Sequence, residues 1–262
     1  MRTVIFVLLL AYLPLVSCVK TLAEETVPKI NLQAFHNRRL GESAHELLSD
    51  KKFTSLDVEI HYMKGFKPQE ETITNLETFL LTYLNKPHGI FIHLREIDAI
   101  ENTALMREDL LALEHSNRSL FAHQQRHAIY VLFTNGDHIN NKILGMAYKN
   151  TSAVIFGKAI RENSNLEGKL TRMELETAVL LHEMGHLLGL VNKGSEMESG
   201  HADTVHETHC ANPRCLMYYS TETKKLSLVL LKGNIPELDE DCIRDLLRNG
   251  GRNQKPLRLA HH

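Results

Sequence analysis

Three side chains in the stretch LLHEMGHLLGLVN, residues 180–192, could do chemistry together. His182 and His186 stand four residues apart, so on a helix their imidazoles share one face, one turn apart. That spacing lets two ring nitrogens reach one zinc ion at about 2.0–2.1 Å. Glu183 points to the neighbouring side, toward the place a water on that zinc would occupy. Zinc lowers the pKa of such a water to about 7. Glu183 is placed to take its proton and later deliver it to a leaving amine, which is the chemistry of peptide-bond hydrolysis.

The same three residue types also occur by chance on solvated surface helices. Here the flanks argue against that: AVLL precedes and LLGLV follows, which marks a largely buried helix. Two buried histidines beside a buried glutamate are costly unless paired or metallated. Gly185 leaves room for close packing behind the helix, and Gly189 suits a left-handed helix end.

A third ligand is missing from the simplest arrangement. The pattern H-E-x-x-H-x-x-G-x-x-H would place a histidine at position 192, where this chain has Asn192. An amide oxygen is a poor zinc ligand beside imidazole. The stretch NKGSEMESGHADTVHETHC, residues 192–210, offers His201, His206 and His209 instead, as if an inserted loop had carried the ligand downstream. His201, Asp203 and His206 could otherwise hold that loop against the cleft, bind another ion, or be solvated.

The extended pattern belongs to the metzincin clan of zinc proteases, and the next residues sharpen the likeness. HCANPRCLMYY, residues 209–219, resembles the signature of the archaemetzincins: a zinc histidine, a cysteine at once, a second cysteine after four residues, then one residue and a methionine. The resemblance covers the motif region and says little about residues 19–120. It implies that His209 is the third zinc ligand, 17 residues beyond Asn192. It implies that Met217 lies in the Met-turn beneath the zinc, where a core methionine is also the plain expectation. Tyr219 stands where some metzincins carry a tyrosine that stabilises the oxyanion; a structural tyrosine fits equally well. The resemblance also implies a second, structural zinc on cysteines. Cys210, Cys215 and Cys242 fit it, with Asp239 standing where a fourth cysteine would be. The spacing of Cys210 and Cys215 alone allows a small disulfide instead.

The N-terminus bears on that choice. Residues 3–16 form a short apolar run behind Arg2, and LVSC, residues 15–18, resembles the lipobox of bacterial lipoproteins. This implies a signal peptide over 1–17, a lipidated Cys18, a tether over 18–50 and a protease domain over 51–262. An ordinary secretory signal with Cys18 near the cut is the alternative. Both readings export the protein, to the periplasmic or surface side of a cell-envelope membrane in the lipoprotein case. If Cys18 is lipidated, three cysteines remain, an odd number for a disulfide-forming compartment.

The rest of the chain must position these groups. Strands are expected over 55–63, 89–97, 127–136 and 143–160, with a turn or irregularity at 150–152. Helices are expected over 68–86, 103–115, from near 172 to Gly189, and over 236–251. Thr171 and Glu174 form a capping box for the metal helix. Hydrophobic residues make up 43% of the 262, charged residues 24%, and the formal charge is −2, so nothing points to a nucleic-acid partner.

The expected fold is α+β and zincin-like: a twisted mixed sheet with packed helices, an active-site helix, a Met-turn and a small C-terminal part. The expected function is zinc-dependent endopeptidase activity on a protein or peptide substrate, with residues 144–156 as the substrate-binding strand. A catalytically silent zinc-binding lipoprotein, acting as a binding or scaffold module, is the alternative that Asn192 permits. A metal-storage protein is a third reading, suggested by the histidine-rich loop.

Overall fold

The strands form where apolar β-branched and aromatic residues cluster. β1 (Ser55–Met63) and β4 (Arg126–Thr134) are buried almost throughout. This is the pattern of central strands in a sheet covered on both faces. In the computed structural model, which describes residues 32–101, 104–165, 170–221 and 235–254, β1 pairs in parallel with both β4 and β2 (Ile90–Ile97). β7 (Ser152–Phe156) adds in parallel to β4, and β6 (Gly145–Lys149) closes the sheet antiparallel to β7. The order is β2-β1-β4-β7-β6. A small parallel pair, β3 (Ala104–Leu105) and β5 (Asp137–His138), stands apart from it.

Among the described residues the helices are α1 (Leu32–Phe35), α2 (Ala44–Leu48), α3 (Glu70–Tyr83), α4 (Arg107–Asn117), α5 (Gly157–Asn163), α6 (Arg172–Leu187) and α7 (Glu240–Arg248). α3 and α6 pack against each other, and α6 lies against β6 and β7. The mixed α+β layout expected from the sequence is present. Among the described residues no helix is long and apolar enough to cross a membrane.

Two expectations need correction. The run read as strand to residue 160 stops at Phe156, and α5 begins at Gly157. A Cβ at Gly157 would meet Phe66 Cδ1 at 2.8 Å and the Thr134 carbonyl at 3.0 Å, so only glycine lets the chain turn there.

The second correction concerns residues 32–49, which are part of the packed body rather than tether. Leu47 and Leu48 are fully buried core residues. Asn150, at the β6–β7 turn, donates its amide to the Phe35 carbonyl (3.1 Å) and to Ser43 Oγ (2.7 Å). Its Oδ1 accepts from the Arg38 N–H at 3.1 Å. The polar make-up of 32–49 therefore satisfies buried partners, which composition alone does not distinguish from a solvated linker.

Candidate active site

α6 carries His182, Glu183 and His186, and its start is fixed by reciprocal capping. Thr171 Oγ1 accepts from the Glu174 N–H at 3.2 Å, and Glu174 Oε2 accepts from the Thr171 N–H at 2.7 Å. Its end is fixed by Gly189, at φ +76°. A Cβ there would lie 2.6 Å from both Ala44 Cβ and the Ser195 nitrogen. The chain then runs through two left-handed residues, Val191 and Asn192, with φ of 53° and 64°. Asn192 is exposed, so the position that would carry a third histidine faces solvent.

The third imidazole comes from farther along. His182, His186 and His209 are all buried, and one ring nitrogen from each falls in a group whose members lie within 4.8 Å of one another. Their ring centroids stand 4.7, 5.3 and 5.2 Å apart. Tetrahedral zinc with imidazole ligands needs donor spacings of about 3.4 Å, within that envelope. Burial, with His182, His209 and Lys193 adding to it, holds His186 well below the ordinary histidine pKa. It is therefore neutral, the form that binds metal. The donor set fits zinc.

His182 is oriented from behind. Its Nδ1–H donates to the Leu216 carbonyl at 2.7 Å, which leaves Nε2 with its lone pair for a metal. The next residue, Met217, packs beneath the helix. A Cβ on Gly185 would meet Met217 Sδ at 2.3 Å. That close approach explains why position 185 is glycine.

Glu183 is fully buried and faces β6. Its Oε2 accepts from the Ala147 N–H at 2.6 Å. Gly145 passes so close that a Cβ would be 3.1 Å from Glu183 Oε1. The carboxylate thus lies between the helix that carries His182 and His186 and the edge strand of the sheet.

The other two loop histidines go elsewhere. His201 Nε2 lies 2.8 Å from Asp245 Oδ2 on α7, and both side chains are buried. His206 stacks flat on Tyr219, with centroids 3.8 Å apart and planes 1° from parallel. Tyr219 therefore borders the three-histidine group through His206, whose ring is 6.5 Å from that of His209. The loop is tied back to the site by its backbone. The Asp203 N–H donates to the His209 carbonyl at 2.8 Å, and the Ala211 N–H to the His201 carbonyl at 2.9 Å.

Cys210, Cys215, Asp239 and Cys242 form a second donor group, again within 4.8 Å. The disulfide that the Cys210–Cys215 spacing allows is not formed, and all three thiols are free and buried. Cys215 Sγ lies 3.6 Å from Cys242 Sγ, and the Cys210 thiol donates to Asp239 Oδ2 at 3.2 Å. Hydrogen bonds from the Cys210 and Cys242 thiols pull Cys215 down to about 5, against its own burial. The bond to Cys215 holds Cys210 up, and the bonds to Cys210 and then Cys215, with burial, hold Cys242 up. Three sulfurs and a carboxylate, one sulfur already favoured as thiolate, suit a structural zinc.

Cys18 and the signal peptide expected over 1–17 lie outside the described residues. Sequence reasoning missed Asp245, although its position three residues after Cys242 puts both on one helical face. It also missed the buried role of Ala44 and Asn150, for which the sequence carries no pattern.

A family model described as metallo-peptidase family M12 matches residues 61–228, more than half of the chain. No curated protein sequence matches. Among solved structures, archaemetzincin from Methanopyrus kandleri is similar at 16% identity and a TM-score of 0.50, over 75% of this chain and 96% of that one. Metalloproteinase-II from Bacteroides fragilis aligns at 16% identity and a TM-score of 0.43, over 77% of this chain and 56% of that one. The likeness to the Methanopyrus protein is one of fold. The chain belongs to metallo-peptidase family M12, and it is a zinc metallopeptidase.

Proposed function

We propose that this peptidase is an endopeptidase anchored at a cell-envelope membrane through lipid on Cys18, with His182, His186 and His209 holding the catalytic zinc. The observation that carries the site assignment is the burial of Glu183, next in sequence to His182 of the three-histidine group and hydrogen-bonded to the edge strand β6. Bound zinc supplies Lewis acidity, polarising a carbonyl and making water nucleophilic near neutral pH.

The chain's own residues do the rest. A peptide adds antiparallel to the free edge of β6, held by main-chain hydrogen bonds. Glu183 takes the proton from the attacking water on one carboxylate oxygen and gives it to the leaving amine. Its other oxygen stays fixed by the Ala147 N–H, so the base is oriented by the strand that aligns the substrate. The Tyr219 hydroxyl donates to the carbonyl oxygen as negative charge develops there. Cys210, Cys215, Asp239 and Cys242 hold a second, structural zinc.

The test is Glu183→Gln in the purified full chain, with cleavage of a mixed-sequence peptide library and zinc content measured together. Lost cleavage with zinc retained supports the assignment. Unchanged cleavage sinks it, and no cleavage by the wild type with zinc bound returns the silent zinc-binding lipoprotein. The anchor is tested separately: labelled fatty acid should be incorporated by the wild type and not by Cys18→Ser.

A further inference from the structure

We infer that His206, on the loop inserted between Asn192 and His209, is a positioning residue for Tyr219. The inference rests on the reading of Tyr219 as an oxyanion donor.

A phenol is useful in a transition state only when its ring torsions are held, and an exposed tyrosine ring otherwise rotates freely. Here the ring is held on two sides. His206 covers one face at 3.8 Å with a 1° angle between planes. Tyr218 meets it edge-on at 4.7 Å and 60°.

His206 is itself fixed. Asp203 Oδ1 accepts from the Val205 and His206 N–H groups at 2.7 and 3.0 Å, making a tight turn, and lies 3.5 Å from His206 Nδ1. The His206 carbonyl accepts from the His209 N–H at 2.8 Å, which sets the imidazole's starting point relative to the third histidine of the cluster. His206 is absent from both donor groups. Its ring is therefore spent on Tyr219, and the inserted loop that displaces the third histidine also returns a side chain that orders the tyrosine.

The chain has no tryptophan and seven tyrosines, so the ordering of one phenol ring is readable in near-ultraviolet circular dichroism. The full chain carrying His206→Ala, His206→Leu, His206→Phe, Tyr219→Phe and the His206→Ala/Tyr219→Phe pair is compared with wild type. The substrate is the library peptide that wild type cleaves fastest. We expect His206→Ala and His206→Leu to lower kcat by about ten- to a hundredfold with KM and zinc content held, and to weaken the tyrosine dichroism. His206→Phe keeps a stacking face and restores most of kcat. In the Tyr219→Phe background His206→Ala lowers kcat no further.

Loss of zinc in both His206→Ala and His206→Leu, additive losses in the double variant, or dichroism unchanged in both would overturn the inference. Unchanged kcat in Tyr219→Phe alone would remove the phenol role beneath it. A slow Tyr219→Phe beside His206 variants at wild-type kcat would sink the inference and leave that role standing.

Discussion

The two donor groups adjoin at His209 and Cys210, yet they are built in opposite ways. The histidine group takes two donors from one rigid helix and one from a distant loop, and it has a fully buried carboxylate, Glu183, against the sheet edge. The cysteine group gathers all four donors from the last part of the described chain, with Asp239 and Cys242 at the start of α7. Three protein donors leave a tetrahedral zinc one position to spare, and four leave none. One residue boundary therefore separates a site suited to chemistry from a site suited to holding the chain. The second site braces the first, since the Leu216 carbonyl that orients His182 sits directly after Cys215.

The sharpest way to break this comparison is Glu183→Gln. Removing a general base costs about 10²–10⁴-fold in kcat, while zinc content and thermal stability should stay near wild type. Kinetics beside elemental analysis checks both. A large loss of zinc instead would mean that Glu183 serves the fold.

Cys242→Ser should do the reverse. We expect one zinc fewer per chain and a stability loss of about 3–5 kcal/mol, the scale for a buried metal anchor in a small subdomain. Urea unfolding and zinc titration read this. Activity at low temperature should fall much less than in Glu183→Gln, and an equal fall would erase the distinction between the two groups.

Much of this was legible in the sequence because its signals are local. The capping box at Thr171 and Glu174, the i, i+4 histidines and the glycine at 189 all lie within one helix and its ends, and each stands as expected. Cys210 and Cys215 were legible through the spacing of one short motif; Cys242 and Asp239 joined them only through the family resemblance, with a Cys210–Cys215 disulfide left open. What failed depends on distant partners. Residues 32–49 have the composition of a tether, but their polar groups meet the β6–β7 turn and their Gly41 meets the loop after α6. A Cβ at Gly41 would fall on the Lys193 carbonyl. The choice among His201, His206 and His209 likewise turned on what each ring meets, and α7 claims His201 through an aspartate far along the chain.

Gly185→Ala tests whether the Met217 floor serves the histidine group in particular. The added methyl would stand 2.3 Å from Met217 Sδ, so the methionine or the helix must move. Met217 is fully buried, and overpacking of this kind costs about 1–3 kcal/mol. Because Leu216 precedes it, the displacement should reach His182 and weaken zinc binding at the histidine group while leaving the cysteine group loaded. Competition with a chelator at graded concentration would show the difference. Equal weakening at both groups would mean that the Met217 floor belongs to neither in particular.

Asp245→Asn should have the smallest effect and bears most directly on how the inserted loop is held. Asp245 is fully buried, and its two oxygens divide the work: Oδ2 lies 2.8 Å from His201 Nε2, and Oδ1 accepts from the Glu198 N–H at 2.8 Å. Asparagine keeps the shape and one acceptor, so the contact to Glu198 survives. The charge on the His201 partner is lost, but an amide N–H in its place can donate to a neutral His201 Nε2, so only part of the about 1.5–3 kcal/mol of a charge-assisted bond goes with it. The loop's second attachment, the backbone pairing of Ala202 with Cys210, remains. We therefore expect about 1 kcal/mol of destabilisation by urea unfolding, with kcat within about twofold of wild type and both zinc ions retained. If kcat instead dropped as far as in the His206 variants, α7 would be controlling the catalytic group through the loop. The two donor groups would then be one coupled device rather than neighbours with separate tasks.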